Sequence, residues 1–297
     1  ATQKIICMAR TGEIQLHNPL LYENVVLDEI IGKGAVGTVY SACQNGQSVA
    51  VKVSKAETMA FTEEEFLFEV ALMCALDHPN ILPCLGAGIV APYYFFISPY
   101  QGKGSLKMVL NDRFEPLPWV RRINIAKEVA KGLQYLHSKG LIHRDIKSEN
   151  ILVGVNWEIR IIDFGTSRFI GRVDSASLES MMGTAEWMAP EMLAEGKEYS
   201  EKVDVYSYGI LLYEIFTRNH PYYELERRYE IVSHVEAGNR PVYREDEIPF
   251  KILRSLMVNC WHKAPKKRPG WSTVLLKLDD ALVRASRKAK EDAAIIG

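Results

Sequence analysis

The pattern of hydrophobic and polar positions divides the chain into a strand-rich first part and a helix-rich second part. Up to about residue 101, β-branched and aromatic residues alternate with other residues in short runs, as in the segment from Val49 to Val53. Such alternation is typical of strands. From about Ser105 onward, apolar residues recur every three or four positions, which predicts helices. The pattern therefore predicts an α+β fold in which a β-rich part precedes an α-rich part.

Turn and cap residues predict individual elements within these parts. Asn45-Gly46 stands between two β-branched runs and is the kind of dipeptide that closes a hairpin. Thr62 and Glu65 form a capping-box pattern, which predicts the start of a helix. The apolar stripe of that helix consists of Phe66, Val70 and Met73. A second stripe, on a helix that Gly140 would end, consists of Ala126, Val129, Leu133 and Leu136.

The composition limits which binding partners and which cellular compartment can be expected for the protein. The 297 residues include 36 Lys and Arg against 37 Asp and Glu, so no net field attracts the protein to nucleic acid or anionic lipid. The five cysteines are scattered, odd in number and without a C-x-x-C pair. We therefore expect a reducing compartment, no structural zinc and no nucleic-acid partner.

One uncharged stretch raises the possibility of a membrane span. Residues 78–102 carry no formal charge. Pro83, Pro92 and Pro99 interrupt the stretch too often for a spanning helix, and two buried strands separated by a turn fit it better. We expect no membrane insertion by this part of the chain.

A glycine-rich stretch from Gly32 to Gly37 has the spacing G-x-G-x-x-G. A flexible turn without a ligand can have the same spacing, so the spacing is weak evidence by itself. A Rossmann turn is excluded because no helix signal follows Gly37, and a Walker A loop is excluded because Thr38 stands where that loop has lysine. A glycine loop between two antiparallel strands remains, in which backbone N–H groups can approach phosphate oxygens.

Lys52 lies in an alternating strand, on the face opposite to Val49, Val51 and Val53. An ordinary solvent-exposed lysine would fit this position. Glu69 favours another interpretation, because it borders the apolar stripe of the first helix and a carboxylate near a core needs a partner. Lys52 held by Glu69 would present a positive charge to phosphates.

The strongest signal is the segment from His143 to Asn150, which reads H-R-D-x-K-x-x-N and is followed by Asp163-Phe-Gly. A charged turn after a helix would by itself only attract solvent. Here, however, the glycine loop, a V-A-V-K ending at Lys52, the helix residue Glu69 and Ala189-Pro-Glu191 stand in a fixed order around it. With this set the chain resembles the eukaryotic protein kinases.

The resemblance covers about residues 22–282 and implies the two-lobed protein kinase fold. A small β-rich N-lobe with one main helix would occupy about residues 22–101, and a larger α-helical C-lobe about residues 102–282. Residues 1–21 would form an N-terminal extension and residues 283–297 a charged C-terminal tail.

The resemblance also implies the chemistry, which is transfer of the γ-phosphoryl group of ATP with Mg²⁺ as the metal cofactor. Lys52 would contact the α and β phosphates, with Glu69 holding it. Asp145 would orient the acceptor hydroxyl and take its proton, while Lys147 would support the transferring group.

The nucleotide and metal positions follow in the same way. Asn150 and Asp163 would ligate Mg²⁺, which prefers oxygen ligands. Ser98, at the position that guards the inner adenine pocket, is small and implies an open back pocket. The residues expected around the nucleotide are Gly32, Gly34, Gly37, Val39, Ala50, Lys52, Ser98, Tyr100 and Gln101.

The substrate class is indicated by two groups of residues. At Lys147 and Thr184 the chain resembles serine/threonine kinases, in which the threonine hydroxyl can bond toward Asp145 and Lys147 of the catalytic loop, here residues 143–150. The segments 204–209 and 260–261 resemble tyrosine kinases and their relatives. The mixture predicts the tyrosine-kinase-like branch of serine/threonine kinases. Val36 departs from the family, which usually has an aromatic residue at the tip of the glycine loop.

The segment between Asp163 and Glu191 contains Ser175, Ser177 and Ser180. These serines fit both polar loop residues and regulatory phosphorylation sites. A phosphate there would pair with Arg144 and order the segment. The resemblance also implies two structural contacts, an ion pair between Glu191 and Arg268 and a brace of the catalytic loop by Asp204.

Three alternative functions remain open. A pseudokinase scaffold commonly lacks the strand lysine, the catalytic aspartate or the metal aspartate, and all three are present here. A dual-specificity kinase and a kinase of small molecules are the others, although the segment from Thr184 to Glu191 resembles one that receives a peptide. We expect protein substrates and a cytoplasmic location, with this domain as a piece of a longer protein that has a membrane receptor portion as one possibility.

Overall fold

The computed structural model describes residues 25–34, 37–55, 63–90, 93–169, 185–193, 199–225 and 227–296. They fall into two compact units. The first contains the described residues up to Gly102 together with Gly154–Gly165, and the second contains Lys103–Val153 and the described residues from Thr166 onward. The first unit is mostly strands and the second mostly helices, so the α+β prediction is confirmed.

An antiparallel five-stranded sheet forms the main part of the first unit, in the order β1-β2-β3-β5-β4. Its strands are β1 (Val25–Gly34), β2 (Gly37–Gln44), β3 (Gln47–Lys55), β4 (Gly86–Val90) and β5 (Tyr93–Pro99). Asn45 and Gly46 join β2 to β3 with positive φ angles of 50° and 79°. Positive φ at both turn positions belongs to the type I′ turn, which matches the twist of paired strands. The predicted hairpin is confirmed.

The sheet has one face that forms a hydrophobic core. That core contains Ala42, Val49, Val51, Phe95 and Ile97, with Val25 and Val53 packed against it. The alternation in β3 places these valines together on one side, as predicted from the sequence. Lys52 therefore lies on the other side of the sheet.

Helix α1 (Glu63–Ala75) lies in the same unit as the sheet. Phe66 and Val70 pack in a cluster with Ala87 of β4, and Phe96 of β5 packs against the cluster. Phe96 is the register partner of Lys52, so this helix packs on the face of the sheet that carries the lysine. Met73 is also buried, which confirms the predicted stripe. Thr62, the expected cap residue, lies outside the described residues.

The second unit is built mainly from helices. Its α-helices are α2 (Leu106–Asn111), α3 (Trp119–Ser138), α4 (Pro190–Leu193), α5 (Lys202–Thr217), α6 (Arg228–Glu236), α7 (Lys251–Cys260) and α8 (Trp271–Ile296). The predicted stripe of α3, from Ala126 to Leu136, is buried. Gly140 follows this helix with φ of 74°, in the left-handed region that glycine adopts without strain. Both predictions for this helix are confirmed.

Helix α5 is buried around most of its circumference. Its residues from Val203 to Phe216 are all buried, including the polar Asp204, Ser207 and Glu214. A buried polar side chain in such a helix requires hydrogen-bond partners. The helix therefore anchors polar contacts inside the second unit.

Among the helices of the described ranges, none combines the length and apolar character needed to cross a membrane.

Candidate active site

The strand register places the expected nucleotide-binding residues on one face of the first unit. Val39 of β2 is paired with Lys52 of β3, and Ala50 is paired with Ser98 of β5. Paired residues of antiparallel strands point to the same side of a sheet, as do positions i and i+2 of one strand. Val39, Ala50, Lys52 and Ser98 thus share the face opposite to the hydrophobic core.

The glycine loop lies where β1 turns into β2. Gly34 and Gly37 are register partners at the end of this pair, and residues 35–36, with Val36, lie outside the described residues. A Cβ built on Gly37 would meet the backbone oxygen of Val53 at 2.5 Å. A Cβ on Gly34 would have its nearest contact at 3.9 Å. Gly37 is therefore required by close strand packing, whereas no atom of the described residues lies closer than 3.9 Å to a Cβ built on Gly34.

Ser98 is the second-last residue of β5, directly before Pro99. Its side chain is small and the residue is buried. The backbone N–H of Tyr100 donates to the Ser48 oxygen at 3.3 Å, so this amide is used inside the protein. The side chain of Gln101 donates from Nε2 to the Pro99 oxygen at 3.3 Å. Polar backbone groups of Gln101 remain as candidates for an adenine contact.

Lys52, Glu69 and Asp163 lie close enough in the first unit for their charges to interact. Burial raises the pKa of the Glu69 carboxyl, the positive charge of Lys52 lowers it and the carboxylate of Asp163 raises it again. Within the described residues Lys52 and Glu69 do not form a direct ion pair, so their attraction acts over a longer distance. Lys52 is the positively charged member of this group, and a lysine ammonium binds phosphate as a point charge.

Asp163 adopts an unusual backbone conformation. Its φ is 68°, in the left-handed region that is uncommon for residues other than glycine. The next glycine, Gly165, lies beside it, since a Cβ built there would contact Asp163 Oδ1 at 3.5 Å and Glu69 Oε2 at 3.6 Å. Strained backbone of this kind concentrates at functional sites, where the surrounding structure maintains it.

In the second unit, Asp145 is held by two side chains of its own loop. Lys147 Nζ and Asn150 Nδ2 each donate to Asp145 Oδ2 at 2.7 Å, and Asn150 Nδ2 also donates to the Asp145 backbone oxygen at 2.8 Å. The other carboxylate atom, Oδ1, is buried and has no hydrogen-bond partner within the described residues. A buried carboxylate oxygen without a donor is costly, which fits a group that receives its donor from a substrate.

The oxygen atoms of Asn150 and Asp163 fit a magnesium ion by their chemistry. Because Nδ2 of Asn150 is the donor in both of its contacts to Asp145, its amide oxygen is the atom that can ligate a cation. No cluster of three or more His, Cys, Asp or Glu side chains suited to a metal occurs within the described ranges. Mg²⁺ is usually bound by one or two protein oxygen ligands together with phosphates and waters, and the amide oxygen of Asn150 in the second unit and the carboxylate of Asp163 in the first unit are each of that type.

Asp204 on α5 braces the catalytic loop, as expected from the sequence. Its Oδ2 and Oδ1 accept from the backbone N–H groups of His143 and Arg144, each at 2.8 Å. Nε2 of His137 bonds to Oδ2 at 2.8 Å. Burial alone would raise the pKa of the Asp204 carboxyl, but the hydrogen bonds and charges of His137 and His143 hold it below its ordinary value. The aspartate therefore stays ionised and fixes the loop backbone.

The expected regulatory residues are only partly within the described residues. Arg144 is buried, has φ of 73° and donates from Nη1 to the Tyr199 hydroxyl at 2.9 Å. Ser175, Ser177, Ser180 and Thr184 lie outside the described residues.

Sequence reasoning missed one contact of this unit. Glu214 of α5 is buried and joins Ser148 of the catalytic loop to Trp187, which precedes α4. A single carboxylate within the apolar run from Ile210 to Phe216 was the available signal.

The chain is similar to known protein kinases over most of its length. The family model described as protein tyrosine and serine/threonine kinase matches residues 25–278. The RGS domain-containing serine/threonine-protein kinase A of Dictyostelium discoideum is 37% identical over 273 residues, which is 91% of this chain and 23% of the relative. The dual specificity protein kinase shkA of the same organism is 35% identical over 264 residues, 87% of this chain and 50% of the relative.

A plant relative shows similar identity. The serine/threonine/tyrosine-protein kinase HT1 of Arabidopsis thaliana is 37% identical over 253 residues, 83% of this chain and 63% of the relative. The chain thus spans less than two thirds of the length of these relatives. Because the family model matches well over half of the chain, in the order of motifs found in its sequence, the chain belongs to the protein tyrosine and serine/threonine kinase family.

Proposed function

We propose that the chain is a catalytic protein kinase domain that transfers the γ-phosphoryl group of Mg-ATP to serine and threonine hydroxyls of protein substrates. The observation that carries this proposal is Asp145, whose Oδ2 is held by Lys147 and Asn150 while its buried Oδ1 has no donor within the described residues. The names of the relatives, which include serine/threonine-protein kinase, support the same acceptor class. Protein substrates and a cytoplasmic location are part of the proposal.

The first unit would bind ATP through its open sheet face. Val39 and Ala50 present small or branched apolar groups, which fit the flat adenine ring. Lys52 would supply positive charge to the α and β phosphates, and the charge of Glu69 would attract this lysine across the distance that separates them. Gly34 leaves room for the phosphate chain to approach backbone N–H groups.

The second unit would supply the acceptor chemistry. Asp145 Oδ1 would accept the hydrogen bond of the substrate hydroxyl and take its proton as the new bond from that oxygen to the γ-phosphorus forms, while the bond from the γ-phosphorus to the β,γ-bridging oxygen breaks and ADP leaves. Lys147 neutralises charge that develops on the transferred group, and its bond to Asp145 Oδ2 fixes the carboxylate orientation. Asn150 donates to the same oxygen, so Oδ1 keeps its direction.

Asn150 Oδ1 and the carboxylate of Asp163 are the groups that would hold magnesium. When bound, Mg²⁺ supplies charge neutralisation for the phosphates.

The chain would belong to the tyrosine-kinase-like branch. Lys147 and Thr184 support serine and threonine acceptors, while the 204–209 and 260–261 segments have the style of tyrosine kinases. Two relatives carry the names dual specificity protein kinase and serine/threonine/tyrosine-protein kinase, which favours dual specificity as a second candidate function. Phosphoamino-acid analysis of a modified protein substrate separates the two, because only dual specificity yields phosphotyrosine.

Phosphorylation of Ser175, Ser177 or Ser180 is proposed as the regulatory step, with Arg144 and Thr184 as partners of the activated state. Substitution of all three serines by alanine is expected to lower the activity of autophosphorylated enzyme. Unchanged turnover after complete dephosphorylation would exclude this regulation.

The experiment that tests the proposed function follows labelled γ-phosphate from Mg-ATP into a generic protein substrate. Wild type is compared with Lys52→Met and Asp145→Asn proteins prepared identically. Transfer by wild type alone supports the proposal. Equal labelling by the three proteins indicates a contaminating kinase, and no labelling by any of them favours a non-catalytic scaffold.

A further inference from the structure

Two cysteine side chains meet in the first unit. Cys74 lies in the last turn of α1, and Cys84 lies two residues before β4. A side-chain hydrogen bond joins the two sulfur atoms, and both are thiols in this structure. Nine residues separate the two cysteines in the sequence, so their contact closes a short loop between the helix and the sheet.

The packing of α1 on the sheet brings the two cysteines together. Cys84 packs against a buried cluster that contains Val70 of α1. Cys74 follows Val70 by four positions, so the two side chains lie on the same face of the helix. The backbone N–H of Leu85 donates to the Ile97 oxygen of β5 at 2.9 Å, which fixes the chain beside Cys84 to the sheet. The contact of the thiols is therefore part of the packing between helix and sheet.

The two thiols differ in their access to solvent. Cys74 is exposed, whereas Cys84 is partly buried. The hydrogen bond to Cys74 and burial both raise the pKa of the Cys84 thiol above its ordinary value, although the backbone N–H of Gly86 acts in the opposite direction. Oxidation of a cysteine depends on its exposure and on its thiolate character. A dissolved oxidant therefore reacts with Cys74 first, and the Cys84 thiol stays beside the oxidised sulfur.

We propose that Cys74 and Cys84 are a modification site, at which hydrogen peroxide forms a reversible disulfide between α1 and the segment before β4. A disulfide requires two side chains that point toward each other, and thiols in hydrogen-bond contact meet this requirement. In a reducing compartment disulfides are usually transient and serve catalysis or redox sensing. The proposal concerns the thiols of the first unit alone, so it does not depend on the proposed function.

The reaction consumes one hydrogen peroxide and two thiols. The Cys74 sulfur attacks one peroxide oxygen, the O–O bond breaks, and water leaves with the thiol proton, so that Cys74 becomes a sulfenic acid. The Cys84 sulfur then attacks the Cys74 sulfur. The S–S bond forms, the S–O bond breaks, and a second water leaves with the Cys84 proton. Each sulfur loses one electron and the peroxide gains two. A small thiol such as dithiothreitol reverses the modification by exchange.

The disulfide holds the end of α1 to the sheet. Glu69, whose charge interacts with that of Lys52, lies on the same helix five positions before Cys74. A covalent bond across the contact removes the conformations in which the end of the helix and the sheet separate. A closed loop also restricts the unfolded chain, which stabilises the folded state. The oxidised protein therefore unfolds at a higher temperature than the reduced protein.

The test treats the whole folded chain with hydrogen peroxide and then blocks the remaining thiols with an alkylating reagent. Cleavage before Asp77, which lies between the two cysteines, gives two peptides that stay joined only through a disulfide. Mass spectrometry without a reducing agent is expected to find the joined peptides in wild type. The matched control is Cys43→Ser, at another exposed cysteine in β2, which should give the same joined peptides. Cys74→Ser should give none.

Thermal unfolding is the second measurement on the same samples. Oxidation is expected to raise the unfolding midpoint of wild type and of Cys43→Ser by roughly 5 °C, and dithiothreitol should return it. Cys74→Ser should show no such rise, and Cys84→Ala repeats this comparison from the other cysteine. The inference is wrong if oxidised wild type lacks the joined peptides, or if they form and the midpoint does not rise. An equal rise in Cys74→Ser and Cys84→Ala would also contradict it.

Discussion

Arg268 and Glu191 form a two-point ion pair inside the second unit. Nη1 of Arg268 donates to Glu191 Oε1 at 2.5 Å and Nη2 donates to Oε2 at 2.8 Å. The guanidinium is fully buried and also donates to backbone oxygens, including that of His262 at 2.8 Å. The pair ties the start of α4 to the chain just before α8, so the chain around Glu191 is fixed to the helical part of the second unit.

Removal of one partner of this pair should destabilise the protein strongly. Glu191→Gln leaves the Arg268 charge buried without its carboxylate, and we expect a loss of about 3 kcal/mol in the free energy of unfolding. Urea unfolding measures this change. The control is Asp280→Asn, which breaks the exposed two-point pair with Arg284 and should leave the unfolding midpoint unchanged. Equal midpoint shifts for the two variants would contradict the structural role of the Glu191 pair.

Loss of the Lys147 contact should impair chemistry without affecting nucleotide binding. Lys147→Met removes the donor to Asp145 Oδ2 and the charge near the transferring group, so kcat should fall by about 100-fold. The KM for ATP should not change. Lys107→Met is the control, because Lys107 of the same lobe forms an ion pair with Glu149 that is partly exposed. Steady-state kinetics measure kcat and KM for each variant. A rise in KM for ATP with unchanged kcat would assign Lys147 to nucleotide binding instead of the transfer step.

The glycines of the loop should respond differently to alanine. A methyl group at Gly37 would meet the Val53 backbone oxygen, so Gly37→Ala should cost about 1–3 kcal/mol of stability. In Gly34→Ala the methyl group would meet no atom of the described residues closer than 3.9 Å, so this variant should fold normally, but the group would occupy the proposed approach to phosphate and weaken ATP binding. Thermal unfolding and isothermal titration with Mg-ATP distinguish the two effects. Normal ATP affinity in Gly34→Ala would show that phosphate does not bind there.

The buried acid Glu214 should make stability depend on pH in a defined direction. Its pKa is about 8 in the folded protein against an ordinary value of 4.5, so at a solution pH between these two pKa values unfolding releases a proton from this group. The free energy of unfolding should therefore fall as pH rises through this window, by up to about 1.4 kcal/mol per pH unit from this group. Glu214→Gln should remove the dependence, whereas Glu236→Gln, at an exposed position, should keep it. Parallel pH curves for wild type and Glu214→Gln would contradict the raised pKa.

The parts of the fold that the sequence predicted rest on local signals. The Asn45-Gly46 turn, the buried stripe of α3 and its end at Gly140 each depend on a few neighbouring residues, and all three are confirmed. The motif order of the family also led to the Glu191 contact with Arg268 and to the Asp204 brace, which the structure contains.

Other features depend on contacts between residues far apart in the chain and could not be predicted. Glu214 stands in an almost uniformly apolar run, and its two partners lie 66 and 27 positions away. The hydrogen bond from the Tyr100 backbone N–H to the Ser48 oxygen depends on the way β5 ends beside β3. The charge interaction between Lys52 and Glu69 joins residues of β3 and α1, so it depends on how this helix packs on the sheet.

The central claim is that Asp145 accepts the substrate proton in a Mg-ATP-dependent transfer. Loss of its carboxylate should therefore impair the transfer step and leave nucleotide binding unchanged. Calorimetry with Mg-ATP and a single-turnover transfer assay are carried out on the same preparations of wild type and Asp145→Asn. The account predicts equal nucleotide affinity for the two proteins and loss of transfer in Asp145→Asn by a factor of about 100 or more. Undiminished transfer by Asp145→Asn, or no uptake of nucleotide by wild type in the presence of magnesium, would contradict it.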